Sequence, residues 1–224
     1  MRRLKRGVGR ESLIYPIKKI DMEKPIIYTV GHSTHEVDAF LELIKSAGIN
    51  CIVDVRSVPA SAYTPQFNQE PLKKVLNENH IAYLHLPKEF GAQQTDEKLL
   101  DDEGKLDFEK MKETTAFKSG LERIRHGADK GYVIAIMCSE SEPLDCHRFS
   151  LVSIGLENEG FEVKHLLKDK SVKTNDELKQ ELLKEYAKKI PQNNLFEREI
   201  PFEVQLQVAL KLKNRKIGFS PSDD

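Results

Sequence analysis

Hydrophobic and polar positions alternate in blocks along the chain, and the blocks predict strands and helices in turn. Short, mostly apolar runs have the length of buried strands, and the stretches between them carry apolar residues every three or four positions, as helices do. Strands that alternate with helices form parallel sheets covered on both faces. We therefore predict an α/β fold of three layers, with a mainly parallel, open sheet of about five strands and helices on both faces. The predicted strands span 26–30, 51–55, 81–85, 132–137 and 162–166.

The same pattern divides the chain into three parts. Residues 1–24 form a basic N-terminal extension with eight Lys or Arg against three acids, either a solvated terminus or an arm that contacts nucleic acid. Residues 25–190 form the α/β domain. In the C-terminal extension, residues 191–224, apolar and polar positions alternate from 204 to 212, which predicts a short strand with one covered face. A short helix is the alternative there, and the end from residue 218 is predicted to be disordered.

Composition argues against several classes of protein. The 224 residues carry a net charge of -1, which gives no electrostatic case for a nucleic-acid or membrane partner of the chain as a whole. The sequence has no apolar run near the ~20 residues that span a bilayer, and its N-terminus lacks the apolar core of a secretory signal. Three cysteines, an odd number, do not suggest a disulfide framework. We therefore predict a cytoplasmic protein without a membrane partner.

Reactive side chains are most concentrated directly after the fourth predicted strand. The segment from Cys138 to Arg148 contains thiols, carboxylates, an imidazole and a guanidinium. Open parallel sheets bind ligands at the carboxyl ends of their strands. Asp145 is a candidate N-cap for a helix that begins near Cys146, which would place the Cys146 sulfur at the positive end of that helix. Such a position lowers a thiol pKa and attracts anions, so the segment predicts a pocket for a phosphate or a carboxylate.

Loops after the other parallel strands should converge on the same edge of the sheet. Asp54 interrupts an apolar strand, and a buried carboxylate there needs a partner, for which Arg56 lies on the same strand face. The pair fits a structural ion pair and a functional one equally well. Ser33 with Glu36 fits a capping box for the first helix. The catalytic candidates are Asp54, Cys138, Glu140 and Cys146, and the anion- or substrate-binding candidates are His32, Ser33, Arg56, Ser57, His85, His147 and Arg148.

Metal binding is a competing interpretation of the same segment. Cys138, Cys146 and His147 offer thiolate and imidazole ligands, with His32 or His85 as additions from neighbouring loops. However, the spacing of the two cysteines is not that of a zinc knuckle, and no second pair follows. The sequence therefore assigns no metal ligand and leaves the cofactor open. It also contains no Cys-x5-Arg loop after the fourth strand, no Walker-type phosphate loop and no GxGxxG motif.

Several of these segments together resemble a family known as domain of unknown function 488. The resemblance covers roughly residues 25–190 and implies an α/β fold with polar residues clustered at the strand ends, but no established reaction. The family usually has Leu-Gly-Gly after the third strand, whereas this chain has Phe90-Gly91-Ala92, which puts a close backbone approach to a ligand there in question. The motifs that carry the resemblance are Tyr28 to Ser33, Asp54 to Pro59, Pro65 to Asn68, His85 to Pro87, Cys138 to Glu140 and Cys146 to Arg148.

Two functions follow from these residues. The first is an enzyme with a pocket for a small anionic substrate, such as a nucleotide or another phosphate compound. The second is a binding module of the DNA-maintenance machinery that performs no turnover. The second draws on a short segment in which Gln192, Leu195 and Phe196 resemble the Gln-x-x-Leu-Phe peptides that dock on the bacterial sliding clamp. The alternative interpretation of that segment is a helix end whose apolar residues pack back on the domain.

Overall fold

One mixed sheet with helices on both faces forms the described part of the protein. The computed structural model describes residues 24–193 and 199–221. Within these residues the sheet has six strands in the order β3-β2-β4-β1-β5-β6; its first five are parallel, and β6 pairs antiparallel with β5. This confirms the predicted α/β class and adds a sixth, edge strand. The strands are β1 (Ile26–Gly31), β2 (Cys51–Asp54), β3 (Ala82–His85), β4 (Ile134–Cys138), β5 (Glu162–Leu166) and β6 (Val172–Thr174).

Helices connect the strands and close the two faces. The connection from β4 to β5 begins with a turn of 3-10 helix, Pro143–Asp145, and continues as a π-helix, Arg148–Ser153, before it becomes α-helical. Further 3-10 turns lie at Pro65–Phe67 and Glu97–Leu99. The α-helices are α1 (Val37–Ser46), α2 (Gln69–Glu78), α3 (Pro87–Phe90), α4 (Phe108–Lys112), α5 (Thr115–Asp129), α6 (Ile154–Asn158), α7 (Asn175–Glu185) and α8 (Phe202–Ile217).

The two faces of the sheet bury separate apolar cores. Alternate residues of a strand point to opposite faces, so neighbouring positions enter different cores. Ile52 of β2 packs with Phe40 and Leu76 of α1 and α2, whereas Val53, the next residue, packs with Phe117 of α5. The three predicted layers are therefore present, and the sheet lies between them.

The strand order creates a crevice at the carboxyl end of β1 and β4. The chain leaves β1 towards β2 on one side of the sheet, and it leaves β4 towards β5 on the other side. Neighbouring strands whose connections run in opposite directions define the switch point at which open α/β sheets bind ligands. The segment that begins at Cys138 therefore starts at this position.

The C-terminal segment is helical, and the predicted strand at 204–212 is wrong. Helix α8 buries Ala209, Leu210, Lys213 and Asn214, which recur at helical spacing and pack in part against α7. The alternation of Val and Leu with Gln and Lys also fits a helix, because the Gln, Leu and Lys residues favour one. The contacts that α8 makes with the rest of the protein select the helix over the strand.

The chain beyond α8 is ordered as far as the structure describes it. The backbone N–H of Leu106 donates to the carbonyl oxygen of Phe219 at 2.9 Å, and the side chain of Asn214 bonds both Leu106 and Phe108. The predicted disorder is therefore wrong for residues 218–221, and residues 222–224 lie outside the described part.

A second local prediction, the capping box at Ser33 and Glu36, is also wrong. Helix α1 begins after Glu36, and Ser33 adopts a positive φ of 46° in the turn before it. The backbone N–H of Ser33 donates instead to the carbonyl oxygen of Ser139. A capping box does occur at α7, where Thr174 and Glu177 bond each other's backbone N–H groups.

Two further predictions concern the basic N-terminal extension and membrane-spanning segments. Residues 1–23, which make up nearly all of the predicted basic extension, lie outside the described residues. None of the helices in the described ranges is long and apolar enough to cross a membrane.

Candidate functional site

Two strand ends meet at the crevice and hold each other in place. The backbone N–H of His32 donates to the carbonyl oxygen of Cys138 at 3.0 Å, and Ser33 donates to Ser139 at 2.8 Å. A Cβ atom at Gly31 would lie 1.8 Å from the carbonyl oxygen of Glu140, so a side chain there would displace the segment. Glycine at position 31 is therefore what allows the two loops to approach so closely.

Four reactive side chains converge beside this contact, and we call Cys138, Glu140, Cys146 and His147 the sulfur cluster. Cys138 ends β4, and the 3-10 turn at Pro143–Asp145 brings the chain back to Cys146. Atom Oε2 of Glu140 lies 2.9 Å from the sulfur of Cys138 and 2.9 Å from that of Cys146. Both sulfurs are also close to Nδ1 of His147, at 3.8 and 3.9 Å.

The backbone fixes the orientation of the histidine in the sulfur cluster. Nε2 of His147 lies 3.3 Å from the carbonyl oxygen of Val55. A carbonyl only accepts hydrogen bonds, so Nε2 carries the proton in this contact, and in the neutral ring Nδ1 presents its lone pair to the two sulfurs.

The two thiols of the sulfur cluster differ in acidity. Burial alone would raise the pKa of Cys146, but the hydrogen bond with Cys138 and the charges of Arg148 and His147 lower it well below its ordinary value. The same hydrogen bond, together with burial, holds the pKa of Cys138 well above its ordinary value. Cys146 is therefore the first of the pair to become a thiolate.

The imidazole and the carboxyl group respond to that thiolate. Burial would lower the pKa of His147, yet the neighbouring Cys146 charge raises it overall. Burial, followed by the Cys146 charge, raises the pKa of Glu140. A carboxyl group whose pKa is shifted towards neutrality can both donate and accept a proton under ordinary conditions.

The sulfur cluster forms the floor of a cleft of about 320 Å³. Its lining also includes Ile217 and Phe219, at and beyond the end of α8. Asp145 also faces the cleft, and its pKa is lowered by the hydrogen bond from Lys213 of α8. The cleft is lined by Arg56, Ser57, Val58, Ala92, Gln93, Cys138, Ser139, Glu140, Asp145, Cys146, His147, Ile217 and Phe219.

A second polar cluster lies beside the first but is closed, and we call His32, Asp54, Arg56 and Tyr83 the arginine cluster. Asp54 is fully buried and accepts from Nε of Arg56 at 2.9 Å, from Nη2 at 2.6 Å and from the Tyr83 hydroxyl at 2.7 Å. Arg56 also contacts His32, whose pKa is lowered to about 4 by burial and by the Arg56 charge. The predicted pairing of Asp54 with Arg56 is confirmed, as an internal ion pair.

Asp54 is consequently far less accessible than a catalytic acid would be. Among the described residues that line the cleft, Arg56 represents this cluster and Asp54 does not appear. Burial and the Asp54 charge raise the pKa of Tyr83, so its hydroxyl stays protonated and donates to the carboxylate. The arrangement holds Arg56 in position, which is a structural role for Asp54.

Arg148 lies next to the sulfur cluster but is not available to a ligand in the cleft. It is 1% exposed, and its two terminal nitrogens donate to the carbonyl oxygens of Glu140 and Ser141 at 2.6 and 2.8 Å. Arg148 therefore fastens the loop that carries Glu140. The anion-binding role expected for Arg148 conflicts with this use of its donors.

The predicted helix cap at Asp145 is wrong. The helical segment begins after His147, as a π-helix, and Asp145 ends the preceding 3-10 turn. Its carboxylate pairs with Lys213 at 2.9 Å. A backbone N–H does reach the Cys146 sulfur, from Arg148 at 3.4 Å, so the sulfur has the kind of donor that the prediction invoked, although from another geometry.

The remaining predicted residues occupy the surroundings of the cleft. Ser57 lines it, and its hydroxyl accepts from the backbone N–H of Gln93 at 2.8 Å. His85 contacts the carbonyl oxygen of Arg56 through Nε2, and Ser33 is half-buried in the turn after β1. The retained glycine of the altered family motif, Gly91, is the position at which a Cβ would clash, 2.4 Å from the carbonyl oxygen of Pro87.

Sequence reasoning missed the C-terminal contribution to the site. Lys213 holds Asp145, while Ile217 and Phe219 form part of the cleft wall. The signal was present only as the helix-favouring composition of 204–217, because the contacts span more than 60 residues of sequence. The segment also contains an ordinary apolar alternation that favoured a strand.

The clamp-like peptide cannot be placed against the site. Leu195 and Phe196 lie outside the described residues. Gln192 is described, and its amide donates to the carbonyl oxygens of Ala187 and Ile190 at 2.8 and 3.1 Å. The peptide therefore stays a prediction from the sequence.

Comparison with known proteins supports the resemblance seen in the sequence. The family model described as Domain of unknown function DUF488 matches residues 36–154. No curated protein and no solved structure matches the chain. The matched range contains β2, the Arg56 that follows it and the whole sulfur cluster, whereas α8 lies beyond it. The chain belongs to the DUF488 family.

Proposed function

We propose that this protein is an enzyme that hydrolyses a small polar substrate in the cleft above the sulfur cluster. The observation that carries the proposal is the position of Glu140, whose Oε2 contacts the sulfurs of Cys138 and Cys146, each at 2.9 Å, on the floor of an open cleft. A volume of about 320 Å³ lies at the small end of the range for ligand pockets. The substrate is therefore a small molecule rather than a polymer segment enclosed along its length.

Glu140 acts as the general acid and base in this proposal. A group that takes a proton from water in one step and returns it to a leaving group in the next works best with a pKa near the working pH. Burial raises the pKa of Glu140 in that direction. The hydrogen bond from Arg148 to the carbonyl oxygen of Glu140 supports this role, because it fixes the backbone from which the carboxylate projects.

Arg56 is the candidate for binding an anionic group of the substrate. A guanidinium has five N–H groups. In the part of the chain that the structure describes, Asp54 and Phe67 take the donors of Nε and Nη2, and His32 takes one donor of Nη1. One N–H of Nη1 is left over, and Arg56 lines the cleft. A single carboxylate or phosphate oxygen fits this donor better than a full phosphate clamp does.

The test compares two carboxyl groups that lie two residues apart. Wild type, Glu140→Gln and Glu142→Gln are assayed against p-nitrophenyl esters and phosphates, small amides, and nucleosides and nucleotides, with ammonia and phosphate release as additional readouts. Loss of a general acid–base lowers turnover by about 10²- to 10⁴-fold, so Glu140→Gln should lose turnover by that factor. Glu142 is exposed and serves as the matched control, which should keep it.

Two outcomes would count against the proposal. Turnover by Glu140→Gln equal to that of wild type would remove the assigned role. If wild type turns over no member of the panel, the binding module becomes the better description of the cleft.

A further inference from the structure

We propose that Cys138, Cys146 and His147 bind a divalent, thiophilic metal ion, which the ligand chemistry identifies as zinc. The three residues bring Sγ, Sγ and Nδ1 within 4.8 Å of one another. The site itself stands on this geometry, while the catalytic use of its metal rests on the proposed function. Thiolate and imidazole ligands together select zinc over the hard cations magnesium and calcium.

The distances are those of a tetrahedral site that needs little rearrangement. Zn–S bonds of about 2.3 Å and Zn–N bonds of about 2.0 Å give tetrahedral edges of roughly 3.8 Å between two sulfurs and roughly 3.5 Å between sulfur and nitrogen. Nδ1 of His147 lies 3.8 Å from the Cys138 sulfur and 3.9 Å from the Cys146 sulfur. A metal ion would therefore draw Nδ1 and each sulfur together by a few tenths of an ångström, and the two sulfurs, which lie within 4.8 Å, by up to about 1 Å.

The surroundings prepare each ligand for a metal. Metal-binding histidines usually donate their second N–H to a carbonyl or carboxylate, which fixes the tautomer that coordinates. Nε2 of His147 contacts the carbonyl oxygen of Val55, so Nδ1 is the free ligand atom and faces both sulfurs. The backbone N–H of Arg148 points at the Cys146 sulfur at 3.4 Å, which stabilises a thiolate.

Hydrogen bonds from the two thiols to Glu140 explain the arrangement of the sulfur cluster less well than a bound metal ion does. Both thiols direct their contacts to the same oxygen of Glu140, so two sulfurs and a carboxylate, all of which repel one another when ionised, crowd at one point. A divalent cation removes that repulsion. Cys51 shows the contrast, because it is buried among apolar side chains and lies outside this cluster.

Three protein ligands would leave a fourth position of the metal for water or substrate. Catalytic zinc sites keep such a position, whereas structural sites fill it with a fourth side chain. All three ligands line the cleft, and Glu140 reaches both sulfurs from it. We assign Glu140 to the water rather than to the metal, so the metal would polarise the water and Glu140 would accept its proton.

The test measures the metal directly in the full-length protein. Protein purified without chelators should contain about one equivalent of zinc by elemental mass spectrometry. After removal of the metal, added Co²⁺ should give sulfur-to-cobalt charge-transfer bands together with the visible bands of a tetrahedral site. Loss of an outer-shell partner typically weakens metal binding about 10- to 100-fold, so loss of a direct ligand in Cys138→Ser or Cys146→Ser should weaken Co²⁺ binding by at least that factor. Cys51→Ser, the matched control, should bind like wild type.

Several results of this experiment would overturn the metal site. If wild type binds no zinc and shows no Co²⁺ charge-transfer band, or if Cys138 and Cys146 form a disulfide after purification under reducing conditions, the metal site is overturned. Unchanged Co²⁺ binding by both serine variants overturns it as well. Because the wild-type spectrum stands by itself, a variant that fails to fold by circular dichroism leaves the result intact.

The Glu140→Gln variant separates the metal site from the function. This variant should keep the metal and lose turnover. Metal retained together with normal turnover would reject the role of Glu140 and the proposed function while the site stands. Turnover that depends on Glu140 in a protein without metal would reject the site and keep the enzyme.

Discussion

The arginine cluster and the sulfur cluster lie side by side at the carboxyl edge of the sheet, yet they are built in opposite ways. In the arginine cluster, Asp54 is fully buried, and its carboxylate accepts from both Arg56 and Tyr83. In the sulfur cluster, two thiols share one carboxylate oxygen of Glu140 and open into a cleft. The first arrangement pairs opposite charges, and the second crowds two thiols and a carboxyl group, which carry the same sign when ionised, beside one imidazole.

The difference separates polar groups that are satisfied within the fold from the groups to which we assign the proposed chemistry. A buried carboxylate such as that of Asp54, with its hydrogen bonds made, has nothing left to offer a ligand, and breaking its ion pair is costly. A cluster of acidic groups that repel one another when ionised is stabilised by a partner that the protein alone does not supply, such as a proton or a metal ion. The two clusters should therefore respond differently to substitution.

Removing the cation of the arginine cluster should have the largest effect on stability. Arg56→Met leaves the Asp54 carboxylate buried beside Tyr83 and without a positive partner, so we expect a loss of about 3–5 kcal/mol in the free energy of unfolding. Urea denaturation measures this loss. Bound zinc per folded chain should stay unchanged, because Arg56 is not among the three proposed ligands.

An exposed ion pair provides the control for this substitution. Lys74 and Glu78 lie 4.0 Å apart on α2 with side chains 77% and 60% exposed. Lys74→Met should therefore cost less than about 1 kcal/mol. If Arg56→Met were as mild as Lys74→Met, the arginine cluster would not be the closed structural unit described here.

The thiol of Cys146 in the sulfur cluster should react faster with thiol reagents than the thiol of Cys51 does. In protein freed of metal by a chelator, the lowered pKa of Cys146 makes it more ionised than an ordinary thiol, whereas burial raises the pKa of Cys51 to about 11. A small thiol reagent should modify Cys146 at least about tenfold faster than Cys51. Peptide mapping by mass spectrometry after short exposures measures both rates.

The pH dependence of that modification has a definite sign. The folded pKa of Cys146 is depressed, so its thiolate is present above that pKa and is lost only when acid brings the pH below it. The rate at Cys146 should therefore fall less than that of an ordinary thiol as the pH falls from mildly alkaline to neutral. A rate that falls as steeply as that of an ordinary thiol would contradict the assigned acidity, and added zinc should protect Cys146 if the metal site is present.

Local patterns in the sequence predicted the features that depend on one strand or one segment. The period of two along β2 placed Arg56 on the same face as Asp54, and the pair forms as predicted. The alternation of strands and helices gave the layers and placed Cys138 at the end of a strand. The resemblance to the DUF488 family rested on such segments, and it is confirmed.

Features that depend on distant contacts could not be derived in this way. Cys138 comes from a strand end and Cys146 from beyond a 3-10 turn, so their spacing resembles no zinc knuckle although their sulfurs meet at one oxygen. Asp145 has the composition of a helix cap, but Lys213, 68 residues later, holds its carboxylate. The strand predicted at 204–212 failed because those contacts select a helix.

Lys213 provides the last test of the comparison between the two clusters, and the one with the smallest expected effect on stability. Its side chain is 1% exposed and thus buried, as those of Asp54 and Arg56 are, but its partners Asp145 and Glu185 are 58% and 34% exposed. Water can therefore solvate both carboxylates when the ammonium is removed. We expect Lys213→Met to cost about 1 kcal/mol in urea denaturation, well below Arg56→Met, and Lys213→Arg to recover most of it.

The pH dependence of this difference distinguishes an ion pair from simple packing. The hydrogen bond from Lys213 lowers the pKa of Asp145 in the folded state, so the pair contributes its full stability above the unfolded pKa of about 3.9. That contribution is lost as the pH falls through the lower, folded pKa. The gap between wild type and Lys213→Met should therefore be constant near neutral pH and shrink in acid. A gap that persists unchanged in acid would mean that Lys213 stabilises α8 through the packing of its aliphatic chain, and that a buried cation with exposed partners acts as an apolar side chain.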